Sequence, residues 1–236
     1  PVVATGSFSA DSSESIEFIK KIYDCGVDAV ILISSILADP TQDDSHLKKQ
    51  LELIMEGTGN IPLGVYECPV PYKRLLSPAM MEWMASTGRF VYHKDTCCNS
   101  QAIDKKVKAL GDSVFGLYNA DTATALDSLD SGAMGISPIS ANFYPEPYRY
   151  LLDMYYAEGR TKSLEKLHAI LTMMDRVTHM FYPYAAKVFL KRRGLAIGTT
   201  TRIPYEAFGN VDQIRMDALF TSFEMVCEMY GIKRII

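Results

Sequence analysis

The sequence predicts an α/β chain built on a parallel sheet followed by helices, and three observations carry that reading. Short β-like runs alternate with amphipathic helical stretches through residues 1–158. The alternation repeats at intervals of roughly 25–30 residues, as successive right-handed strand–helix–strand units do. After Gly159 the pattern changes and only helical periodicity remains.

Taken in order, residues 1–6 (PVVATG) are strand-like, and residues 12–23 carry Ile16, Phe18, Ile19 and Ile22 at helical spacing. DAVILIS at 28–34 is a buried strand, and residues 43–55 form a helix with Leu47, Leu51 and Ile54 on one face. PLGVYEC at 62–68 is the third strand. Ser77-Pro78 opens the next helix, with Ser as the cap and Pro in the first turn, where its missing N–H costs nothing. FVYHKDT at 90–96, VFGLYNA at 114–120 and AMGISPIS at 133–140 are the remaining strands, separated by helices over 100–110 and 122–129 and followed by one over 146–158. Beyond them, residues 164–181 and 184–193 read as helices parted by Pro183. A Gly- and Thr-rich connection at 194–201 leads to a last helix over 211–230.

Composition excludes several classes. The 236 residues are 48% hydrophobic and 22% charged, a globular balance, and 24 Lys plus Arg against 28 Asp plus Glu give a net charge of −4. Neither nucleic acid nor an anionic membrane is an expected partner of such a surface. The longest apolar run, 29–37, contains Ser34 and Ser35 and is strand-length, well short of the roughly 20 residues that span a bilayer. Five cysteines with no metal-ligand spacing and no secretory leader point to a reducing cytoplasm, with no metal expected.

Lys94 stands out. Most lysines, including Lys105, Lys106 and Lys108, fall on polar helix faces, but Lys94 lies near the C-terminal end of a strand whose neighbours make it central. Alternation puts Phe90, Tyr92 and Lys94 on one face and His93 on the other, under the helices. An ammonium desolvated there loses its proton more readily and becomes a nucleophile toward carbonyls. Tyr66, at a comparable height on the preceding strand, offers a phenol able to shuttle protons. Each residue also has a plain reading: a strand-end lysine snorkels, and an interior tyrosine packs. Glu67 faces away from Tyr66 as an ion-pair or hydrogen-bond partner, Asp95 contacts loop backbone, and Cys97 and Cys98 pack as small residues. Met80, Met81 and Met84 beside Trp83 fill core.

Val65-Tyr66-Glu67-Cys68-Pro69, His93-Lys94-Asp95-Thr96 and the run Gly135-Ile136-Ser137-Pro138-Ile139-Ser140-Ala141-Asn142 resemble, in order and spacing, motifs of the dihydrodipicolinate synthase / N-acetylneuraminate lyase family. Asn119-Ala120-Asp121 falls where that family has its seventh-strand turn. Ala185-Ala186-Lys187, Arg193-Gly194-Leu195 and Thr201-Arg202-Ile203-Pro204 resemble its C-terminal helical segment. The resemblance implies a TIM-type (β/α)8 barrel with C-terminal helices, assembled as a homodimer or homotetramer and forming a lysine Schiff base with pyruvate or a related 2-oxo acid. It implies Lys94 as the imine-forming amine, Tyr66 as proton relay, Ile136 against the pyruvyl group, Asn119 and Ala120 lining the pocket, and no metal or organic cofactor.

Departures from the family are equally legible. Six strands are readable rather than eight, with residues 1–6 resembling the family's third strand. The first two units, and the Gly-Thr-Thr/Ser-Gly-Glu loop that holds the substrate carboxylate, are therefore expected to be missing. Residues 1–159 are then a partial barrel, and 160–236 a helical segment packed on it. The synthase's fourth-strand tyrosine aligns with Leu37, and the arginine after its tyrosine motif with Pro71, leaving Lys73 and Arg74 nearby as substitutes. These changes point to another aldolase or lyase of the family. The alternative is a non-catalytic barrel kept as a binding or assembly module.

Overall fold

The computed structural model describes residues 1–202 and 208–235. The chain divides into two compact units between Ile136 and Ser137, earlier than the expected boundary after Gly159. Ile203 and Pro204, part of one family-like motif, lie outside the described residues.

The first unit is the expected α/β array. Its strands are β1 (Val3–Thr5), β2 (Ala29–Ile33), β3 (Leu63–Tyr66), β4 (Phe90–Asp95), β5 (Gly116–Asn119) and β6 (Gly135–Ile136), all parallel and in sequential order. Helices α1 (Ser12–Tyr23), α3 (Asp44–Gly57), α4 (Pro78–Ser86), α5 (Ser100–Leu110) and α6 (Ala125–Asp130) follow successive strands. The strands are shorter than their apolar runs, and β6 is cut to two residues because Pro138 lacks the N–H that would extend the ladder. A helical turn unforeseen from sequence, α2 (Ser34–Leu37), follows β2 directly.

Side chains start each main helix where the sequence supplies a cap. Asp11 accepts from the Ser13 N–H at 2.7 Å, Asp43 from the Ser45 N–H at 3.0 Å, Ser77 from the Met80 N–H at 3.2 Å and Asn99 from the Ala102 N–H at 2.9 Å. Each satisfies a donor that the first helical turn leaves orphaned. Between sheet and helices lies one apolar core, with Val30, Leu32, Val65 and Leu117 from the strands meeting Ile19, Leu51, Met81 and Ile103 from the helices.

One irregularity decides the site's geometry. Leu63 pairs with Phe90 but Gly64 pairs with Tyr92, so Val91 is an extra residue in β4. The expectation that Phe90, Tyr92 and Lys94 share a face is therefore corrected. Phe90 is buried in the helix-side core, 6.5 Å from the Trp83 ring and 5.8 Å from Phe115, while Tyr92 and Lys94 point the other way.

The second unit is helical: a 3-10 turn (Ile139–Asn142), then α7 (Pro145–Glu158), α8 (Lys162–Thr178), α9 (Tyr184–Arg192) and α10 (Asn210–Tyr230). Pro183 separates α8 from α9, as expected. Phe143, Tyr144, Phe189 and Phe223 form an aromatic core with ring centroids between 5.6 and 6.2 Å apart for the contacting pairs Phe143–Tyr144, Phe143–Phe189, Tyr144–Phe189, Tyr144–Phe223 and Phe189–Phe223. Beside it Arg193 pairs with the buried Glu146 and donates to the Phe143 carbonyl at 2.7 Å.

Gly64 is the one place on β3 where a side chain has no room. A Cβ there would stand 2.7 Å from the Tyr92 carbonyl oxygen and 2.4 Å from Ile31 Cδ1. Gly64→Ala is expected to cost about 1–3 kcal/mol of stability, because the obstruction includes backbone and β4 must shift. Denaturant titration of the two proteins checks this; a loss within about 0.5 kcal/mol contradicts it.

Candidate active site

β3 and β4 bring two predicted residues together. Tyr66 and Lys94 are direct register partners, and the Lys94 Nζ stands 4.8 Å from the centroid of the Tyr66 ring. Both side chains are half-buried. Burial pulls the Lys94 amine below its ordinary value, against the opposing effect of the neighbouring Cys68. Register extends the row: Ile33 pairs with Tyr66, Lys94 with Tyr118, and Tyr118 with Gly135. The layer beneath holds Ile31, Gly64, Tyr92 and Gly116. Tyr92 and Tyr118 stack with centroids 4.6 Å apart, adding aromatic surface to the lysine's face of the sheet. Tyr118 escaped the sequence reading, although its alternation with Leu117 carries the signal.

The opposite face of the same strand ends gathers ionisable groups. Lys106 Nζ, on α5, lies 2.5 Å from Glu67 Oε1 and 2.6 Å from Asp95 Oδ2. His93 Nε2 stands 3.5 Å from Glu67 Oε1 and 3.8 Å from Asp95 Oδ2, while its Nδ1 is 3.3 Å from the Val65 carbonyl oxygen. Glu67, His93 and Asp95 have no solvent exposure and Lys106 has 3%. The placement of Lys106 on a polar helix face is thus corrected. It lies on the buried stripe of α5 with Ile103 and Leu110, a spacing visible in the sequence.

Opposing forces act on each member of this cluster. Burial raises the Glu67 carboxyl, but His93 and Lys106 outweigh it and hold it below its ordinary range. Asp95 is lowered in the same way, burial being overcome by His93 and Lys106. Burial pushes the His93 and Lys106 cations toward the neutral form, and the two carboxylates reverse that, so both hold their protons more tightly. Glu67, His93 and Asp95 offer ligand atoms within 4.8 Å of one another, a donor set suited to a cation. The cation in contact with both carboxylates here is the chain's own ammonium.

The cluster also organises the loops above the strands. Glu67 accepts from the Leu76 and Thr96 N–H groups at 2.7 and 3.0 Å, and Asp95 accepts from the Cys97 N–H at 2.9 Å, the loop contact expected of it. Cys97 packs against the core; burial, and then Asp95, push its thiol up to about 12. Ser34 and Ser35 of α2 donate to the carbonyls of Arg74 (2.9 Å) and Cys68 (3.5 Å), tying the turn after β2 to the loop after β3. A cavity of about 630 Å3 opens there, lined in part by Ser35, Ile36, Leu37, His46, Pro71 and Tyr72. Of the two cations near Pro71, Arg74 is committed to Asp44 at 3.1 Å and to the Gln42 carbonyl at 2.8 Å. Lys73 is exposed and reaches the Thr96 carbonyl at 2.8 Å, just past the end of β4.

Of the other three expected residues, Asn119 and Ile136 alternate away from the lysine. The Asn119 side chain serves its own turn, donating to Thr124 Oγ1 at 2.9 Å and accepting from the Asp121 N–H at 2.9 Å. It pairs with Asp95 on one side and Ile136 on the other, so both Asn119 and Ile136 alternate with the row that holds Lys94. Ala120 follows Asn119 and donates its N–H to the Asp95 carbonyl at 2.9 Å.

The chain is similar to known proteins over most of its length. The model of the dihydrodipicolinate synthetase family matches residues 1–221. A 4-hydroxy-tetrahydrodipicolinate synthase of Methanospirillum hungatei is 26% identical over 229 residues, covering 95% of this chain and 75% of the relative. The Bacillus subtilis enzyme of the same name is 26% identical over 206 residues, covering 86% and 69%. Among solved structures, the synthase of Methylacidiphilum fumariolicum superimposes with a TM-score of 0.80 at 19% identity, over 96% of this chain and 73% of that one. The chloride-inhibited Acinetobacter baumannii synthase, in complex with pyruvate, does so with a TM-score of 0.81 at 21% identity, over 95% and 75%. These likenesses show the fold. No helix of the described residues is long and apolar enough to cross a membrane.

The buried cluster makes stability depend on pH with a definite sign. His93, raised from 6.5, contributes fully below that value, and its contribution is lost as pH climbs through the raised one. Glu67 and Asp95, lowered from 4.5 and 3.8, contribute above those values and lose their contribution as pH falls through the lowered ones. Unfolding free energy should therefore be greatest between 4.5 and 6.5 and decline on both sides. Urea titrations across pH check this, and His93→Gln should remove most of the decline on the alkaline side.

Proposed function

The chain belongs to the dihydrodipicolinate synthetase family, and from that premise we propose that it is a lyase or aldolase forming a Schiff base between Lys94 and pyruvate or a related 2-oxo acid. The supporting observation is the paired placement of Lys94 and Tyr66, with the amine's proton loosened by burial.

In this reading the free amine adds to the keto carbon and gives a carbinolamine. The nitrogen gives up one proton to the former carbonyl oxygen, a second proton from solvent lets that oxygen leave as water, and a protonated imine remains. Tyr66 relays the first of these protons from nitrogen to oxygen. The hydroxyl one carbon beyond the imine's neighbouring carbon then gives up its proton to a base, the C–C bond between those two carbons breaks with its electron pair drawn toward the iminium, and an aldehyde departs while an enamine stays on the lysine. Protonation at carbon and addition of water release the 2-oxo acid and regenerate the amine; condensation is the reverse. Neither a metal nor an organic cofactor enters any of these steps. Lys73, exposed at the Thr96 carbonyl, supplies the cation for a substrate carboxylate, whereas Arg74 is held by its own partners. Assembly as a homodimer or homotetramer and a cytoplasmic setting complete the proposal.

Incubation with pyruvate and borohydride is expected to add to the Lys94 peptide the mass of pyruvate less water plus two hydrogens. Lys94→Ala should abolish the adduct with the fold intact by circular dichroism. An unmodified Lys94 peptide in the unaltered protein overturns the proposal, and thermal stabilisation by pyruvate without an adduct would instead assign a binding module. Tyr66→Phe is expected to slow adduct formation on the order of 100-fold, the usual worth of a positioned proton relay. Lys73→Met should raise KM for the anionic substrate more than it lowers kcat, and steady-state kinetics with the substrate identified by trapping separates the two.

A further inference from the structure

Four ionisable groups meet behind the Tyr66–Lys94 pair, and the proposed chemistry uses none of them. Their placement is specific. Glu67 directly follows Tyr66, while His93 and Asp95 directly flank Lys94. The backbone links the ends of β3, β4 and β5 at the same level, with the Glu67 N–H donating to the Lys94 carbonyl at 3.2 Å and the Ala120 N–H to the Asp95 carbonyl at 2.9 Å. Lys106 bridges Glu67 to Asp95 from α5. Glu67 and Asp95 are thus tied together immediately beside Tyr66 and Lys94.

Charge within the cluster has to balance, because its members lie out of contact with water. Two carboxylates and one ammonium leave a net charge of −1. The geometry of His93 answers that remainder. Its Nδ1 faces the Val65 carbonyl oxygen, and its Nε2 faces the two carboxylates and makes no hydrogen bond of its own. A neutral ring with its proton on Nδ1 would aim the lone pair of Nε2 at two anions. Only the doubly protonated ring meets acceptors at both nitrogens, and it brings the cluster to neutrality.

We propose that Glu67, His93, Asp95 and Lys106 form a positioning unit for Tyr66 and Lys94, in which protonated His93 cancels the residual negative charge that would otherwise hold the proton on the neighbouring amine. The unit rests on the Schiff-base reading for its catalytic meaning, but its electrostatic content stands apart from any substrate. The groups facing His93 are Glu67 from the end of β3, Asp95 from β4 and Lys106 from α5, with the Phe115 ring 6.3 Å away. Those facing Lys94 are the Tyr66 ring and Cys68, with Tyr118 its register neighbour. A single uncompensated charge roughly 10 Å from an amine, across a strand, moves its midpoint by about half a unit to one unit.

The test reads Lys94 without substrate. The full chain is treated with acetic anhydride across pH, and acetylation of the Lys94 peptide is quantified by mass spectrometry. His93→Gln leaves the cluster at −1 and is expected to shift the Lys94 profile upward by about half a unit to one unit, a roughly three- to tenfold slower acetylation near neutrality. Adding Glu67→Gln restores neutrality and should return the profile to that of the unaltered protein, which a purely structural role would not do. An unshifted profile in folded His93→Gln overturns the proposal, as does a shift that the second substitution leaves in place. Should the variants fail to fold, nitrogen-15 resonances of His93 in the unaltered chain decide: imidazolium shifts at both ring nitrogens at pH 7 support the proposal and a neutral ring overturns it. A shifted profile in a protein that pyruvate and borohydride fail to label would refute the lyase reading and leave the charge balance standing.

Discussion

The register between β3 and β4 is the constraint on which this protein's site depends. Because side chains alternate along a strand, a single slip reverses every one of them. Here the extra residue Val91 sends Phe90 into the helix-side core while Tyr92 and Lys94 remain on the aromatic face with Tyr66 and Tyr118. Gly64 fits this arrangement because β4 passes too close for a side chain. The same bulge thus serves both layers, seating a large ring in the core and presenting an amine on the face that carries the stacked tyrosines.

Two faces of the same strand ends divide the labour. One is aromatic and half-buried, where desolvation loosens the lysine's proton. The other is ionic and closed to water, where desolvation opposes every charge and is overcome only because the charges meet one another. Such a cluster is demanding: removing one partner of a buried pair costs on the order of 3–5 kcal/mol, since the other charge is left stranded. Well-packed apolar residues in place of a buried ion pair often match or exceed its stability. What an apolar set could not do is gather the N–H groups of Leu76, Thr96 and Cys97, which the carboxylates hold over the strand ends.

Much of the fold was legible because its signals are local. Alternation and spacing located the six strands and the helices between them, and Asp11, Asp43, Ser77 and Asn99 sit at the helix starts as capping residues should. The ends of elements were less legible, since a strand stops where its neighbour's ladder stops and not where its apolar residues run out. The turn of helix at Ser34–Leu37 was read in part as strand for that reason; its serines are held by carbonyls of the loop after β3, more than thirty residues away. Asn119 belonged to a family-like motif, yet its amide is consumed by its own turn.

The sequence by itself determined the order of units, the parallel class of the sheet, and the nomination of Lys94 and Tyr66, because periodicity and position along a strand are properties of short segments. Only the tertiary structure decided that Lys106 is buried between Glu67 and Asp95, that Phe90 parts from Tyr92, and that Tyr118 joins the row beside the lysine. Those outcomes turn on distances between segments 11 to 39 residues apart, where the partner's charge and the neighbouring strand's register, rather than a residue's own type, set its environment.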